Sequence, residues 1–563
     1  MSSGNLITRI YSGFRGVDFR GEEINLVRSP DSLNIWKDYK ETESIRTRPE
    51  MELLESFDET VWGVFFYASG DINMLLVHSG TKLYKIVDGE RTELYTGLNP
   101  ARSASFIFNG IWYFKDGLKY LQYDGIEIKD VKGYVPTTSI SRKPEGSGTV
   151  HEDVNLLSNY RINTFVGDGI SKEYLLDAEN IDSDYPPVVT VNGKRIINFS
   201  ADYKAGKITF VDLFIPPAPL TDGQDNVSIK FKKTVDGYKD RINKCTLLQV
   251  FDNRVFFSGN PDFPNVIYHS SLNDPSYCSD LDYYNEGLDT AKVKGLVAGN
   301  NVLWVFKEPS QANTTVFYHT PTIDSEYGKI YPSSHSSIST GCVGKAINFN
   351  DDIVFFSNRG MEGISGDITT EQVIAHRSSL VDRKMIAESN YRNMLIEEWE
   401  GYLIAFIDNK AYLADSRALF TNENHNEYEW FYWEFIKNIT CVKVNNGVLY
   451  LGTDDGVYTL TDMKSDVESY WVTPKDKFKY PQYMKTTNKR GCVVEAIGDI
   501  SLYVKTDKTD FELIADYGNI TDAFVSRIKR KKFKDIQLKF YSKKRFSLET
   551  ATLECFIGGY LKR

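Results

Sequence analysis

Seven stretches of this chain repeat one pattern, and that pattern narrows the possible fold more than any other feature of the sequence. Each holds three or four apolar or aromatic residues in partial alternation, a Gly/Asn/Asp turn, a second apolar strand, another turn and a short aromatic strand. They span residues 61–86, 105–123, 246–268, 295–318, 346–364, 394–414 and 440–460. Their starts lie about 43 to 52 residues apart except between the second and third, a period that suits four-stranded propeller blades. A small sheet with an aromatic face cannot bury that face alone, so neighbouring sheets stack around an axis and leave only short edges. The alternative is a set of unrelated β-sandwiches built from the same hairpins. Six of the seven units share one order of strands and turns, which favours a single β-propeller of six or seven blades. The pairs Asn109-Gly110, Asp252-Asn253, Asn300-Asn301, Asp351-Asp352, Glu400-Gly401 and Asn446-Gly447 fall where tight hairpins need residues tolerant of positive φ. Composition agrees: 35 Tyr, 33 Phe and 40 Gly against 8 Met in 563 residues favour short strands and turns over helix bundles.

The repeat also marks what lies outside it. Residues 1–60 read as lead-in strands that help close the propeller, 61–134 as its first blades and 236–465 as the rest. Between them, 135–235 reads as an inserted β-sandwich, with a polar linker over 139–155 and an Asn192-Gly193 hairpin, protruding from the propeller. After Asp462 the strands lengthen, and 466–563 reads as a C-terminal β-sandwich. The one helical stretch of note surrounds 380–388 and is too short to organise a domain. The fold class expected is all-β.

The sequence carries few marks of chemistry. The seven histidines have no metal-ligand spacing, and the six cysteines lie at least 33 residues apart with no C-x-x-C, so neither a zinc site nor a disulfide scaffold is indicated. Ser339 to Ala346 has the outline of a phosphate loop but lacks its first glycine and its Ser/Thr, and no strand-to-helix context supports it. No nucleophile elbow or calcium loop occurs. We expect no catalytic residue, metal or cofactor. Apolar runs are far shorter than the roughly 18 residues that cross a bilayer, and the N-terminus has no apolar signal core, so the expectation is a cytoplasmically made protein without a membrane partner.

Charge is uneven. Residues 527–545 hold ten Lys/Arg against Asp535 alone, a local +9 in a chain of net charge −11, which leaves −20 for the remainder. Here Arg527, Lys529, Arg530, Lys531, Lys532, Lys543, Lys544 and Arg545 are candidates for a surface facing phosphate or an acidic partner, without base-specific readout. The plainer alternative is an alternating strand with a solvated basic face, since Ile528, Phe533, Ile536, Leu538 and Phe540 interleave the charges.

Near the N-terminus, Phe14-Arg-Gly16-Val-Asp18-Phe19, then Ser29-Pro30-Asp31-Ser32-Leu-Asn34-Ile-Trp36, then Ile45-Arg46-Thr47-Arg48-Pro49 resemble the opening of tail nozzle or packaged-DNA stabilisation proteins of tailed phages. A segment further on, Phe257-Ser-Gly259-Asn260-Pro261 with Ile267-Tyr268 and Asp274-Pro275, resembles one that recurs in phage virion propellers. The resemblance implies a lead-in strand over residues 33–36 and a corner at Arg48-Pro49, with Trp36, Arg48 and Pro49 as structural anchors. It implies a structural virion protein assembled in the host bacterial cytoplasm. Such a protein forms a homo-hexameric ring at the neck or tail, meets portal, adaptor and other tail proteins, and retains and delivers packaged double-stranded DNA through its channel. The chain departs from short-tailed-phage nozzles in carrying its insert after two blades and a basic sandwich at its end. Two rivals remain: a distal-tail receptor- or glycan-binding protein, and a propeller glycan hydrolase.

Overall fold

The computed structural model describes residues 5–560 apart from 22–23, 40–43, 212, 312–313, 326–327, 366–372, 423–424, 463–465 and 530. Seven four-stranded antiparallel sheets succeed one another around a ring, so the propeller has seven blades. The first runs from Val61–Ser69 to Glu90–Thr96, the second from Ala104–Phe108 to Ile128–Asp130 and the third from Leu247–Phe251 to Tyr283–Asn285. The fourth starts at Val293–Gly299 and ends at Ser333–His335, the fifth spans Ala346–Phe349 to Val373–His376, and the sixth Leu395–Trp399 to His425–Glu434. The seventh is composite: Cys441–Asn445, Val448–Gly452 and Gly456–Thr461 receive Glu50–Ser56 as their outer strand. A propeller shut in this way cannot open without breaking a ladder of backbone hydrogen bonds. The ring closes where Thr440 Oγ1 donates to the Val61 carbonyl at 2.5 Å and the Val61 N–H donates to the Thr453 carbonyl at 2.9 Å.

The core follows from the repeat. Apolar residues cluster between successive sheets, for example Phe65, Leu76, Trp112, Phe114 and Leu121 between blades one and two. Tight turns drive the pattern: Asn109-Gly110, Asn300-Asn301 and Asn446-Gly447 have positive φ at both positions, which matches the right-handed strand twist. The fifth blade differs from expectation by one residue. Phe349 pairs with Asp352, so its turn is Asn350-Asp351 rather than Asp351-Asp352.

The insert joins a six-stranded sheet, including the parallel pair Thr137–Arg142 and Tyr160–Phe165, to a three-stranded sheet over a core of Phe165, Tyr174, Val189, Ile208, Phe210, Ile229 and Phe231. The stretch expected as a linker contributes the strands Thr137–Arg142 and Thr149–Val150. Its continuation is stitched to blade three: the Leu156 N–H donates to the Cys278 carbonyl at 2.8 Å, and Asn155 Nδ2 donates to the Tyr134 and Ser276 carbonyls.

The C-terminal unit is an eleven-stranded assembly whose long strand Tyr483–Thr506 runs through two layers. Its first part lies between Phe546–Tyr560 and the strands Ala523–Ser526 and Lys532–Phe533; its last part lies between Thr509–Ile520 and Ile536–Ser542. Inward residues of both layers, among them Val494, Leu502, Leu538, Phe540, Leu553 and Trp471, share one core, giving a sandwich. The lead-in belongs to this unit. Leu6–Tyr11 pairs with Phe546–Tyr560, Ser32–Leu33 with Ser469–Val472, and Ile35–Lys37 reaches the same sheet through Ile45–Thr47. The lead-in strand over 33–36 is broken at Asn34, which has a φ of 55°. Among the described residues there are two short α-helices, Tyr238–Asn243 and Asp382–Met385, the second lying within the helical stretch expected from sequence.

Candidate functional site

Three places concentrate charge or polar chemistry, and they differ in what the charges face. The first is the seam between lead-in, blade six and C-terminal sandwich. Asn34, held in the left-handed conformation, accepts on Oδ1 from Arg48 Nε at 2.9 Å and from the Glu434 N–H at 2.8 Å. Its Nδ2 donates to the Glu468 carbonyl at 2.9 Å. Arg48 also donates from Nη1 to the Pro49 carbonyl and from Nη2 to the Glu434 carbonyl, and lies 4.5 Å over the Phe435 ring. Burial pushes the Arg48 pKa down to about 10. Pro49 then turns the chain into the strand Glu50–Ser56 that closes the propeller. Trp36 stacks on Trp399 at 5.3 Å and meets Trp433 edge-on at 5.6 Å. Gly16 presses against blade six so closely that a Cβ there would lie 2.2 Å from the Trp430 carbonyl oxygen. Sequence reasoning passed over Arg28, which grips the fully buried Glu429 through Nε at 2.8 Å and Nη2 at 2.7 Å.

The second is the basic run. Folding divides it. Ile528, Phe533, Ile536, Leu538 and Phe540 are fully buried in the sandwich core, so the alternation in this stretch is that of strands with one inward face. Arg527, Lys529 and Lys532 are exposed near the first part of the long strand, where Lys532 pairs with Thr486 and Lys531 Nζ lies 2.6 Å from Glu512. Arg530 lies outside the described residues. Lys543, Lys544 and Arg545 follow Ile536–Ser542 at its other end, roughly 20 Å away at 3.3 Å per residue. There Lys544 Nζ sits 3.0 Å from Asp499 and Arg545 donates to the Asp462 carbonyl at 3.0 Å, while Lys543 is exposed. The seven described candidates therefore form two separate groups, not one surface.

The third was not singled out in sequence. A cavity of about 290 Å³ opens at one mouth of the propeller axis, lined by Arg102, Lys292, Lys294, Lys345 and Arg392 together with Thr246, Asn260, Pro261 and Asn393. Each cation sits at or just before the innermost strand of its blade, which is why residues so distant in sequence meet. Arg102 crosses from blade two, donating from Nη1 to the Asn393 carbonyl at 2.5 Å and from Nε to the Thr440 carbonyl at 3.1 Å. Among the described residues no Asp or Glu lines the cavity; Glu308 stands 4.0 Å from Lys294. Burial, then the charges of Arg102 and Lys294, push the Lys345 pKa down, and burial lowers that of Arg102. Lys345 and Gly344 belong to the phosphate-loop-like stretch, which leads into the strand Ala346–Phe349 and not into a helix. A signal was present: a cation precedes or opens the innermost strand in blades two, four, five and six.

One cluster has the residue types of a catalytic relay but is satisfied internally. His376 lies between Glu362 at 3.2 Å and Asp382 at 2.5 Å, and Ser378 donates to Asp382 at 2.6 Å rather than to the imidazole. Burial works against the imidazolium, but the two carboxylates outweigh it and raise the His376 pKa to about 10. Among the described residues no group of three or more His, Cys, Asp or Glu is placed to hold a metal ion, and no helix is long and apolar enough to cross a membrane.

No protein-family model and no curated protein matches this chain. Solved structures with similarity include BamB from Moraxella catarrhalis, at 11% identity over 73% of this chain and 97% of that one, with a TM-score of 0.33. An exo-β-1,3-galactanase from Phanerochaete chrysosporium reaches 10% identity over 55% and 94%, with a TM-score of 0.21. Kluyveromyces lactis Hsv2 reaches 8% over 66% and 97%, with a TM-score of 0.24. Glycoside hydrolases are thus among the neighbours, at a similarity too low to carry an argument about activity.

Proposed function

We propose that this chain is a structural virion protein of a tailed bacteriophage, one subunit of a homo-hexameric ring at the neck or tail that extends the portal channel and retains and delivers packaged DNA. The observation behind the reading is the seam. The segment bearing the phage resemblance, from Phe14 to Pro49, meets the sandwich through the Phe14–Trp471 ring contact at 5.3 Å. It lies against the last strand of blade six through Arg28–Glu429 and passes into the outer strand of blade seven. Propeller and sandwich are thereby tied by buried, hydrogen-bonded contacts rather than by a free linker, which suits a part that transmits force without hinging. Ring closure matters, because a heterologous contact that does not close runs on into a filament. A subunit carrying −20 outside its basic run disfavours phosphate contact along a channel wall. The role is mechanical and electrostatic and uses no catalytic residue.

Electron microscopy of virus particles with the C-terminus of this chain labelled tests the reading. Label in a ring at the portal–tail junction is the expected result. Label at the distal tip, or none on particles, would overturn it and favour the receptor- or glycan-binding alternative.

A further inference from the structure

We propose that the axial mouth of the propeller is a binding site for a compact polyanion, a small molecule carrying two or more phosphate or carboxylate groups. The proposal is independent of the neck reading and stands or falls separately from it.

Among the described residues the lining carries five cationic side chains from four blades and no carboxylate. Their existing partners are few. Arg102 spends Nε and Nη1 on two backbone carbonyls and keeps Nη2; Arg392 reaches Asn358 Oδ1 at 3.3 Å. Lys294 has only Glu308 at 4.0 Å, and Lys292 and Lys345 form no ion pair with a described residue. Gathering like charges in a half-enclosed space costs free energy, and buried cations elsewhere in this chain are met by a carboxylate, as Arg28 by Glu429 and Arg46 by Asp38 at 2.9 Å, or by backbone carbonyls, as Lys115 by that of Ile242 at 2.7 Å and Arg48 by those of Pro49 and Glu434; Lys292 and Lys345 have neither among the described residues. At the mouth the matching charge has to come from outside.

Size selects the class of ligand. A cavity of about 290 Å³ has room for two or three oxyanion groups but for neither a DNA duplex nor a folded acidic partner. The donors suit such groups, since a guanidinium offers a planar fork and an ammonium three rotatable donors. Asn260 spends its amide on the Asp240 and Arg241 carbonyls, which holds this rim of blade three in place.

The test is isothermal titration of the full chain with sodium tripolyphosphate and, in parallel, with citrate; the tighter of the two names the group held. Expected is saturable binding with one ligand per chain, weakened at least tenfold in Lys345→Met and in Lys294→Met, equivalent to about 1.4 kcal/mol each. The double variant Lys543→Ala/Lys544→Ala should bind as the unaltered protein does. If Lys345→Met does not fold, Lys292→Ala at the exposed rim replaces it, with an expected weakening of about threefold. No saturable binding of either anion up to about 10 mM would overturn the proposal. So would equal affinity in the mouth variants, or a loss that follows Lys543 and Lys544 instead.

Discussion

The axial mouth and the run 527–545 put positive charge on an acidic protein in opposite ways. The run packs ten basic residues into nineteen, yet its strands send alternate residues into the core and its two ends face Glu512 and Asp499 on different parts of the sandwich. The mouth draws its five cations from between Arg102 and Arg392 and brings them around one cavity. The difference lies in topology. A strand disperses neighbours along its length and onto both faces, whereas a propeller collects every residue at the start of an innermost strand at one end of one axis. Charge density along a chain therefore says little about charge density in space.

The comparison is sharpest where a buried carboxylate depends on its cation. Arg28 holds Glu429, which is fully buried and has a second cation only in Arg15 at 3.8 Å. Arg28→Ala should cost about 3–5 kcal/mol, because it strands a carboxylate in the protein interior. Urea unfolding followed by tryptophan fluorescence measures this, and the nearby Trp433 and Trp430 make the seam visible. A loss under about 1 kcal/mol would mean that Arg15 takes over and that the seam is not fastened by this pair.

The same contrast explains what could be read from sequence. Blade units were legible because each depends on local signals, the period of apolar residues and positive-φ turns such as Asn109-Gly110. The break at Asn34 was not, because its conformation is held by Glu434, Glu468 and Arg48, two of them some four hundred residues away. The helix Tyr238–Asn243 has only six residues, too few for a helical period to show. Residues 139–155 look like a linker until Tyr160–Phe165 offers Thr137–Arg142 a parallel partner. Trp36, Arg48 and Pro49 were picked out through their neighbours in the lead-in, but Arg28 looks like any surface arginine until Glu429 is placed beside it. The mouth was hidden for a related reason: four of the seven blades contribute one or two ordinary-looking cations each, and only the ring makes them a site.

Removing a cation from the mouth should act in the reverse sense to removing Arg28. In an anion-free buffer at pH 7, Lys345→Met should stabilise the chain by about 1 kcal/mol, since it removes a charge that burial disfavours and relieves like-charge crowding around Arg102 and Lys294. The pH dependence has a defined direction. The folded-state pKa of Lys345 lies below its ordinary 10.5, so the folded state binds fewer protons than the unfolded state between those values, and stability rises with pH there. The penalty is complete below the folded pKa and disappears as pH climbs to 10.5, so the advantage of the variant should shrink in the same interval. Urea midpoints at pH 7 and pH 10 measure it. A variant less stable than the parent at pH 7 would show that the mouth is electrostatically satisfied as it stands.

The smallest effect belongs to the run itself. Lys544 and Asp499 are 3.0 Å apart with side-chain exposures of 67% and 28%, so water and salt screen the pair, and its geometry costs side-chain entropy to hold. Lys544→Ala and Lys543→Ala should each leave the melting temperature within about 1 °C of the parent, at low salt and at about 0.5 M NaCl alike. Differential scanning calorimetry of the single variants and of the pair resolves such shifts. A drop of several degrees that vanished in salt would mean that the two ends of the run act together through space, and the division of this stretch into separate, individually weak groups would have to be abandoned.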